Sequence, residues 1–298
     1  MIQYSFLDSE MDAKDHLKNG AKLKKMMRNR KHFIHFILVF IFLFFSISLN
    51  AQFDNEKYDK ESFLIGTLNE SMGGYKRTFT NRSDFSYQRV DRMVYQRELR
   101  NVLFIDSLFN LDFSDITIVY NGDTDVRIYS PTLSIRIDDY FDYEFTNSWS
   151  LEGDSVYRGV LKKEMFKTEK QKFSFLLGVY VRYGRDMDRT NLLIQSFIEE
   201  GLLEGNNEYE NVFAISNSPT KSQVCIEILK DFDCNAEYVI RQTTFPRGHY
   251  VFFISSNKIR EVVNEGERLK KHIETIDTSH IEFTINGSKY IWNEPKKP

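Results

Sequence analysis

Cysteine, proline and histidine are scarce in this sequence, and their scarcity excludes several classes of protein. The chain has two cysteines, both far from the N-terminus, which excludes a lipoprotein because lipid attachment needs a cysteine where the mature chain begins. Five prolines and an aromatic content of 15% predict packed structure rather than a disordered stalk. Three of the six histidines precede residue 36, so few are left for catalysis or metal binding.

The familiar signatures of catalysis and cofactor binding are also missing. No H-E-x-x-H, G-x-S-x-G, Walker, G-x-G-x-x-G, C-x-x-C or EF-hand pattern occurs, so no cofactor and no metal site is predicted. Two S-x-x-K patterns begin at Ser218 and Ser255, without the S-D-N and K-T-G elements of penicillin-binding enzymes. Both serines stand at predicted helix starts, where a hydroxyl can cap free backbone amides. We therefore interpret them as helix caps.

One long apolar run lies near the N-terminus. Residues 36–45 carry no polar side chain, basic residues precede them, and small residues follow as far as Ala51. Basic, then apolar, then small is the order of a secretory signal. We therefore expect residues 1–51 to be an export leader cleaved after Ala51, which sends the protein to the periplasm or cell surface. The alternative is a membrane anchor formed by residues 33–49, which is short for a span of about 20 residues.

Charge differs between this leader and the rest of the chain. The first twenty residues hold four acidic side chains, which is unusual in a leader and favours a start at Met26 or Met27. Residues 1–51 carry 8 basic and 4 acidic residues, so 32 basic and 39 acidic residues follow them, for a net charge of −7. A net-acidic exported chain is not expected to bind a polyanion. We predict no nucleic-acid partner, and contact with a membrane only through an uncleaved leader.

The fold class predicted for the remainder is α+β. Glycine and asparagine at 201–207 end a helical pattern and predict a boundary at 205/206. Before it, residues 116–120, 126–128 and 133–137 alternate between apolar and polar, so 52–205 is predicted to be a β-rich antiparallel domain. Residues 173–183 also keep a period of two, although a short helix fits them as well.

A short repeat comes after the boundary. The sequence V-F-A-I-S at 212–216 returns 39 residues later as V-F-F-I-S at 251–255, and a turn and an amphipathic helix follow each copy. The order over 211–285 is strand, helix, strand, strand, helix, strand, which predicts a ferredoxin-like βαββαβ module in 206–298. Asn286-Gly287 then predicts a hairpin that adds one more strand.

This layout, with V-F-A-I-S and V-F-F-I-S as matching strand starts, resembles the SPOR family of peptidoglycan-binding domains over residues 211–285. The resemblance implies a ferredoxin-like fold and a glycan partner. We accordingly predict an exported, non-catalytic envelope protein that binds a glycan or protein partner through an open sheet face. Phe245, Arg247 and His249 lie in the connection between the two central strands and are the predicted binding residues, although a plain hairpin connection explains the same segment.

The alternative function is a hydrolase of envelope polysaccharide or peptidoglycan. Asp138 and Asp142 are interleaved with aromatic residues, and glycosidases combine two carboxylates with rings that stack on sugars. Solvated strand edges explain the same acids.

The two cysteines have two interpretations. Cys225 aligns with Ile228 and Leu229 at helical spacing, which predicts a buried thiol. A disulfide to Cys234 requires a chain reversal near Asp233, since nine residues of helix hold the two sulfurs too far apart.

Overall fold

The computed structural model describes residues 53–68, 75–77, 89–93, 98–121, 125–149, 155–185, 187–204, 209–216, 218–242, 248–278, 282–285 and 288–291. Phe53–Pro298 forms one compact unit, and the boundary predicted at 205/206 falls inside it. The predicted leader with its cleavage site at Ala51 lies outside the described residues, so its role stays a prediction.

Helices and antiparallel strands alternate along the described chain, which confirms the α+β class. The helices are α1 Lys60–Thr67, α2 Leu99–Phe109, α3 Pro131–Asp138, α4 Glu169–Tyr183, α5 Met187–Glu199, α6 Pro219–Asp231 and α7 Asn257–Glu274. The strands are β1 Tyr75–Arg77, β2 Arg89–Met93, β3 Thr117–Asn121, β4 Asp125–Tyr129, β5 Phe141–Trp149, β6 Ser155–Leu161, β7 Asn211–Ser216, β8 Asn235–Arg241, β9 Gly248–Ile254, β10 Glu282–Ile285 and β11 Ser288–Ile291. They form sheets of order β1-β6-β5, β2-β4-β3, β7-β9-β8 and β10-β11.

One supersecondary unit occurs twice in the chain. In the first repeat, helix α1 is followed by β2, α2, β3, β4 and α3, and in the second repeat helix α4 is followed by β7, α6, β8, β9 and α7. The strand order is equivalent as well, since the last strand of each unit lies between the other two. A shared element order and sheet order indicate an internal duplication. Among the described residues, each copy has one further element between the first helix and the first strand of its sheet, which is β1 in one copy and α5 in the other.

The first helices of the two repeats cross in backbone contact. A Cβ atom on Gly66 of α1 would lie 2.2 Å from the carbonyl oxygen of Phe175, and one on Gly178 of α4 would lie 2.0 Å from that of Phe63. Both helices begin with a side-chain cap: Asp59 accepts from the amide of Ser62 before α1, and a capping box precedes α4. The caps fix the helix starts, and the glycines allow the close crossing.

Two hydrophobic clusters cover opposite faces of the β7-β9-β8 sheet. Phe213 and Phe253 belong to the main core, which includes α1, α2, α4, α6 and α7. The alternate residues Val212 and Phe252 belong to a second cluster with Phe197 of α5. Successive strand residues point to opposite faces, so both faces of this sheet are packed. The open sheet face predicted for partner binding is therefore wrong.

Residues 133–137, predicted to be a strand, lie in helix α3. The hydroxyl of Ser130 accepts from the amide of Leu133, and Pro131 occupies the first turn, a combination that starts a helix. Leu133 and Ile137 are buried one turn apart, whereas Ile135 is exposed. Residues 173–183 likewise lie in a helix, α4, so the region predicted to be β-rich contains more helix than its alternation suggests.

The second repeat reproduces the predicted order through α7. The last strand of the predicted module differs, because β10 pairs with β11 and the described part of the β7-β9-β8 sheet has three strands. The predicted β10–β11 hairpin is present, with Phe283 opposite Tyr290. Cys225 and Cys234 are both buried and are not joined by a disulfide.

Candidate functional site

Buried cations bind the C-terminal end of α1. The ammonium of Lys221, on a residue that is 2% exposed, donates to the carbonyl oxygens of Ile65 and Gly66 at 2.9 Å each and also to that of Leu68. Arg182 donates to the carbonyl of Thr67 at 2.6 Å. A helix C-terminus carries partial negative charge on the carbonyl oxygens that have no partner within the helix. These cations therefore stabilise the end of α1 by hydrogen bonds and by their positive charge.

The end of α4 is bound in a related way. Lys270 of α7 donates to the carbonyl of Gly184 at 3.0 Å and lies over the ring of Tyr180 at 4.2 Å. The hydroxyl of Tyr180 donates to Glu267 at 2.9 Å. At the C-terminal end of each of the two crossing helices, a lysine of the second repeat therefore donates to backbone carbonyl oxygens.

The capping roles predicted for the S-x-x-K serines are wrong. Ser218 stands at the N-cap position of α6, but its side chain makes no capping hydrogen bond. The lysine of that motif is Lys221, which binds α1. The hydroxyl of Ser255 instead accepts from the side-chain amide of Asn211 at 2.9 Å.

The residues predicted to bind a partner are only partly described. His249 is buried in β9, and its Nδ1 is hydrogen-bonded to the hydroxyl of Tyr238, on which its ring stacks. Phe245 and Arg247 lie outside the described residues, so their role stays a prediction. The surroundings of His249 are those of a core histidine rather than of an exposed loop.

The two candidate carboxylates have separate surroundings. Asp138 ends α3 and accepts from the hydroxyl of Tyr143 at 2.6 Å; burial, followed by this hydrogen bond, raises the pKa of Tyr143. Asp142 is exposed on β5 and pairs with Lys162 at 3.5 Å. Within the described residues, no group of three or more His, Cys, Asp or Glu side chains could hold a metal ion.

Basic residues are concentrated in one segment of the first repeat. Residues 75–100 contain seven basic and three acidic residues together with five aromatic ones. The segment supplies β1 and β2, each of which is an edge strand of its sheet. A whole-chain net charge hides this local excess, which is why the sequence analysis missed it.

The strand registers place these basic residues beside further cations and aromatic residues. Arg92 of β2 stands opposite Arg127 of β4. In the other sheet, Lys76 of β1 stands opposite Tyr157 and Tyr75 opposite Arg158, whose side chain is 48% exposed. We call β1 and β2 together the basic edge strands.

No family model matches the sequence, and no curated protein matches it. Among solved structures, the chain is similar to the homing endonuclease I-DmoI. Its mesophilic variants match at 12% identity and a TM-score of 0.38, over 71% of this chain and 95% of that chain. An I-DmoI variant in complex with its target DNA in the presence of Mn matches at 12% identity and a TM-score of 0.38, over 72% of this chain and 96% of that chain. I-DmoI in complex with DNA and Ca matches at 13% identity and a TM-score of 0.38, over 72% of this chain and 97% of that chain.

These structures contradict part of the sequence analysis. They are homing endonucleases, two of them in complex with DNA, whereas the predicted functions were a non-catalytic envelope protein that binds a glycan or protein partner, or an envelope hydrolase, without a nucleic-acid partner. Those functional predictions are wrong. A TM-score of 0.38 gives this chain no activity by likeness. The resemblance to SPOR domains and the export of the protein stay predictions. Among the described residues, no helix is long and apolar enough to cross a membrane.

Proposed function

We propose that this protein binds nucleic acid through its basic edge strands, β1 and β2. The observation that carries the proposal is the concentration of seven basic against three acidic residues in positions 75–100, with four of the basic residues, Lys76, Arg77, Arg89 and Arg92, in β1 and β2. Phosphate contacts from lysine and arginine supply most of the affinity in non-specific nucleic-acid binding. Arginine is well suited to this role because its planar guanidinium can bind a phosphate through two parallel hydrogen bonds.

The ladder between β2 and β4 adds a second argument. Arg92 of β2 stands opposite Arg127 of β4, so the strand next to the basic edge strand β2 supplies a further arginine at the same level of the ladder.

The two repeats differ in the element that the structure describes after the first helix. In the second repeat this element is α5, which covers one face of the β7-β9-β8 sheet, and in the first repeat it is the strand β1. We assign nucleic-acid binding to the first repeat because β1 and β2 lie in it.

The test is fluorescence anisotropy with the full-length protein and labelled oligonucleotides. A DNA duplex of about 30 base pairs, an RNA duplex and a single strand are each titrated at several salt concentrations. We expect log affinity to fall linearly with log salt. The double variants Lys76→Gln/Arg77→Gln and Arg92→Gln/Arg127→Gln should each weaken binding at least about tenfold and reduce the salt slope by about one per lost contact.

A matched control removes two charges elsewhere. Lys258 and Arg260 on α7 are exposed and pair with exposed carboxylates at 2.9 and 3.9 Å, so Lys258→Gln/Arg260→Gln makes the same charge change. We expect it to retain wild-type affinity. Equal losses in the control and the edge-strand variants, or no binding to any probe at low salt, would contradict the proposal.

A further inference from the structure

The β5–β6 hairpin sorts its side chains into a charged face and an aromatic face. The exposed Asp142 and Glu144 of β5 stand opposite Val160 and Arg158 of β6. The intervening residues face the other way. They form an aromatic row, defined by register as Phe141 opposite Leu161, Tyr143 opposite Gly159 and Phe145 opposite Tyr157.

This row begins in the core and ends in solvent. Phe141 and Leu161 are buried, Tyr143 is half-buried, and Phe145 is 40% exposed. The rings of Phe145 and Tyr157 lie 5.6 Å apart at an interplanar angle of 49°. The row therefore ends in a ring pair of which Tyr157 is half-buried and Phe145 is exposed.

A bulge in β5 follows Phe145. The register shifts between Phe145 and Ser148, and Asn147 takes a positive φ of 56° there, a conformation that asparagine tolerates better than most residues. Beyond the shift the ladder resumes, with Trp149 opposite Ser155.

The basic edge strand β1 borders this row. Lys76 stands directly opposite Tyr157 on the side away from Phe145. An aromatic surface beside a cationic strand is complementary to a single-stranded nucleic acid, whose bases expose flat faces and whose phosphates are negative. A duplex has no unstacked base for such a surface.

We propose that Phe145 and Tyr157 stack on unpaired bases of a single-stranded nucleic acid while β1 contacts the adjoining phosphates. The inference rests on the proposed function and narrows its substrate to nucleic acids with unpaired segments. Stacking of one base on an aromatic side chain corresponds to about tenfold in affinity.

The test compares single-stranded and duplex probes with the full-length protein. A strand of about twelve nucleotides carrying 2-aminopurine, as DNA and as RNA, reports stacking through fluorescence quenching. Phe145→Leu keeps an apolar side chain but removes the ring, and Phe145→Trp keeps a ring. We expect Phe145→Leu to lose about tenfold in single-strand affinity together with the quenching, and Phe145→Trp to retain both. Duplex affinity should change little in either variant.

The control is Leu192→Ala, at a residue of α5 that is 67% exposed, and it should behave as wild type. Unchanged single-strand affinity and quenching in Phe145→Leu, or a loss that Phe145→Trp shares, overturns the stacking inference. If the charge variants still weaken duplex binding in that case, the proposed function stands. Absence of binding to every probe overturns both.

Discussion

Gly66 and Gly178 occupy equivalent positions in the two crossing helices, and each packs against the carbonyl oxygen of the phenylalanine that lies three residues before the other glycine. The partner of Gly66 is Phe175, and the partner of Gly178 is Phe63. This reciprocal contact relates the two repeats by an approximate twofold symmetry. Because backbone atoms lie on both sides, neither helix can yield without moving the other.

Alanine at either glycine should disrupt the helix crossing. The added Cβ atom would lie 2.2 Å from a carbonyl oxygen at position 66 and 2.0 Å from one at position 178. We expect Gly66→Ala and Gly178→Ala each to lower the free energy of unfolding by about 3 kcal/mol or more, measured by urea denaturation. The control is Gly201→Ala, where φ is +68° and no atom lies within 4 Å of the added Cβ. Its cost of about 1 kcal/mol is backbone strain alone, and an equally small cost at the crossing glycines would refute the contact.

The duplication is visible in the sequence as two similar segments that lie too far apart for local periodicity to relate them. The segment K-E-S-F-L-I-G at 60–66 recurs as K-F-S-F-L-L-G at 172–178. Local periodicity works over windows of about ten to twenty residues, so copies more than a hundred positions apart escape it. The shorter repeat, V-F-A-I-S and V-F-F-I-S, was interpreted as one unit used twice. In the structure its copies are β7 and β9, neighbouring strands of one sheet.

Local patterns predicted individual elements better than their assembly. The helices α6 and α7 and the β3–β4 and β10–β11 hairpins follow from amphipathic spacing and turn residues. Helix α3 was missed because Leu133, Ile135 and Ile137 alternate like a strand. The covering of the β7-β9-β8 sheet by α5 is a tertiary contact, which no local periodicity specifies. The basic edge strands were missed because charge was averaged over the chain.

The two S-x-x-K lysines provide a matched test of burial. Lys221→Met should remove the ammonium donor from the carbonyl oxygens of Ile65 and Gly66, whereas that of Leu68 keeps the hydroxyl of Tyr183 at 3.0 Å. We expect a loss of about 3 kcal/mol in the free energy of unfolding. Lys258 is 61% exposed and pairs with an exposed Glu169, so Lys258→Met should cost less than about 1 kcal/mol. Thermal and urea denaturation measure both, and a loss in Lys221→Met no larger than that of Lys258→Met contradicts the assigned role.

The packing of helix α5 on the β7-β9-β8 sheet should depend on the buried ring of Phe197. Phe197 is fully buried and contacts Tyr250 and Phe252 edge-on, with centroids at 4.6 and 5.3 Å. We expect Phe197→Ala to cost about 3 to 5 kcal/mol and to speed amide hydrogen exchange in α5 and β9. Leu192→Ala on the exposed side of the same helix should cost under about 0.5 kcal/mol. Comparable effects of the two variants would mean that α5 does not pack on the sheet as described.

Asp231 should make stability depend on pH in the acid range. Its carboxylate accepts from Lys172 at 2.6 Å and from Lys163 at 3.1 Å, which ties the end of α6 to α4. The hydrogen bond from Lys172, followed by that from Lys163, holds the pKa of Asp231 below its ordinary value of 3.8. A carboxyl whose pKa is lower in the folded than in the unfolded state stabilises the fold above its unfolded pKa, and this contribution disappears as pH falls through the folded value.

We therefore expect Asp231→Asn to lower the free energy of unfolding by about 1 kcal/mol at pH 7. The difference from wild type should remain constant down to about pH 5 and shrink below about pH 4, because the wild-type carboxyl then protonates as well. Urea denaturation between about pH 3 and 7 measures it. Asp233→Asn is the control, since its carboxyl makes neither lysine contact and asparagine tolerates its positive φ of 57°. A difference that persists unchanged at about pH 3 would show that the loss comes from altered packing rather than from the two ion pairs.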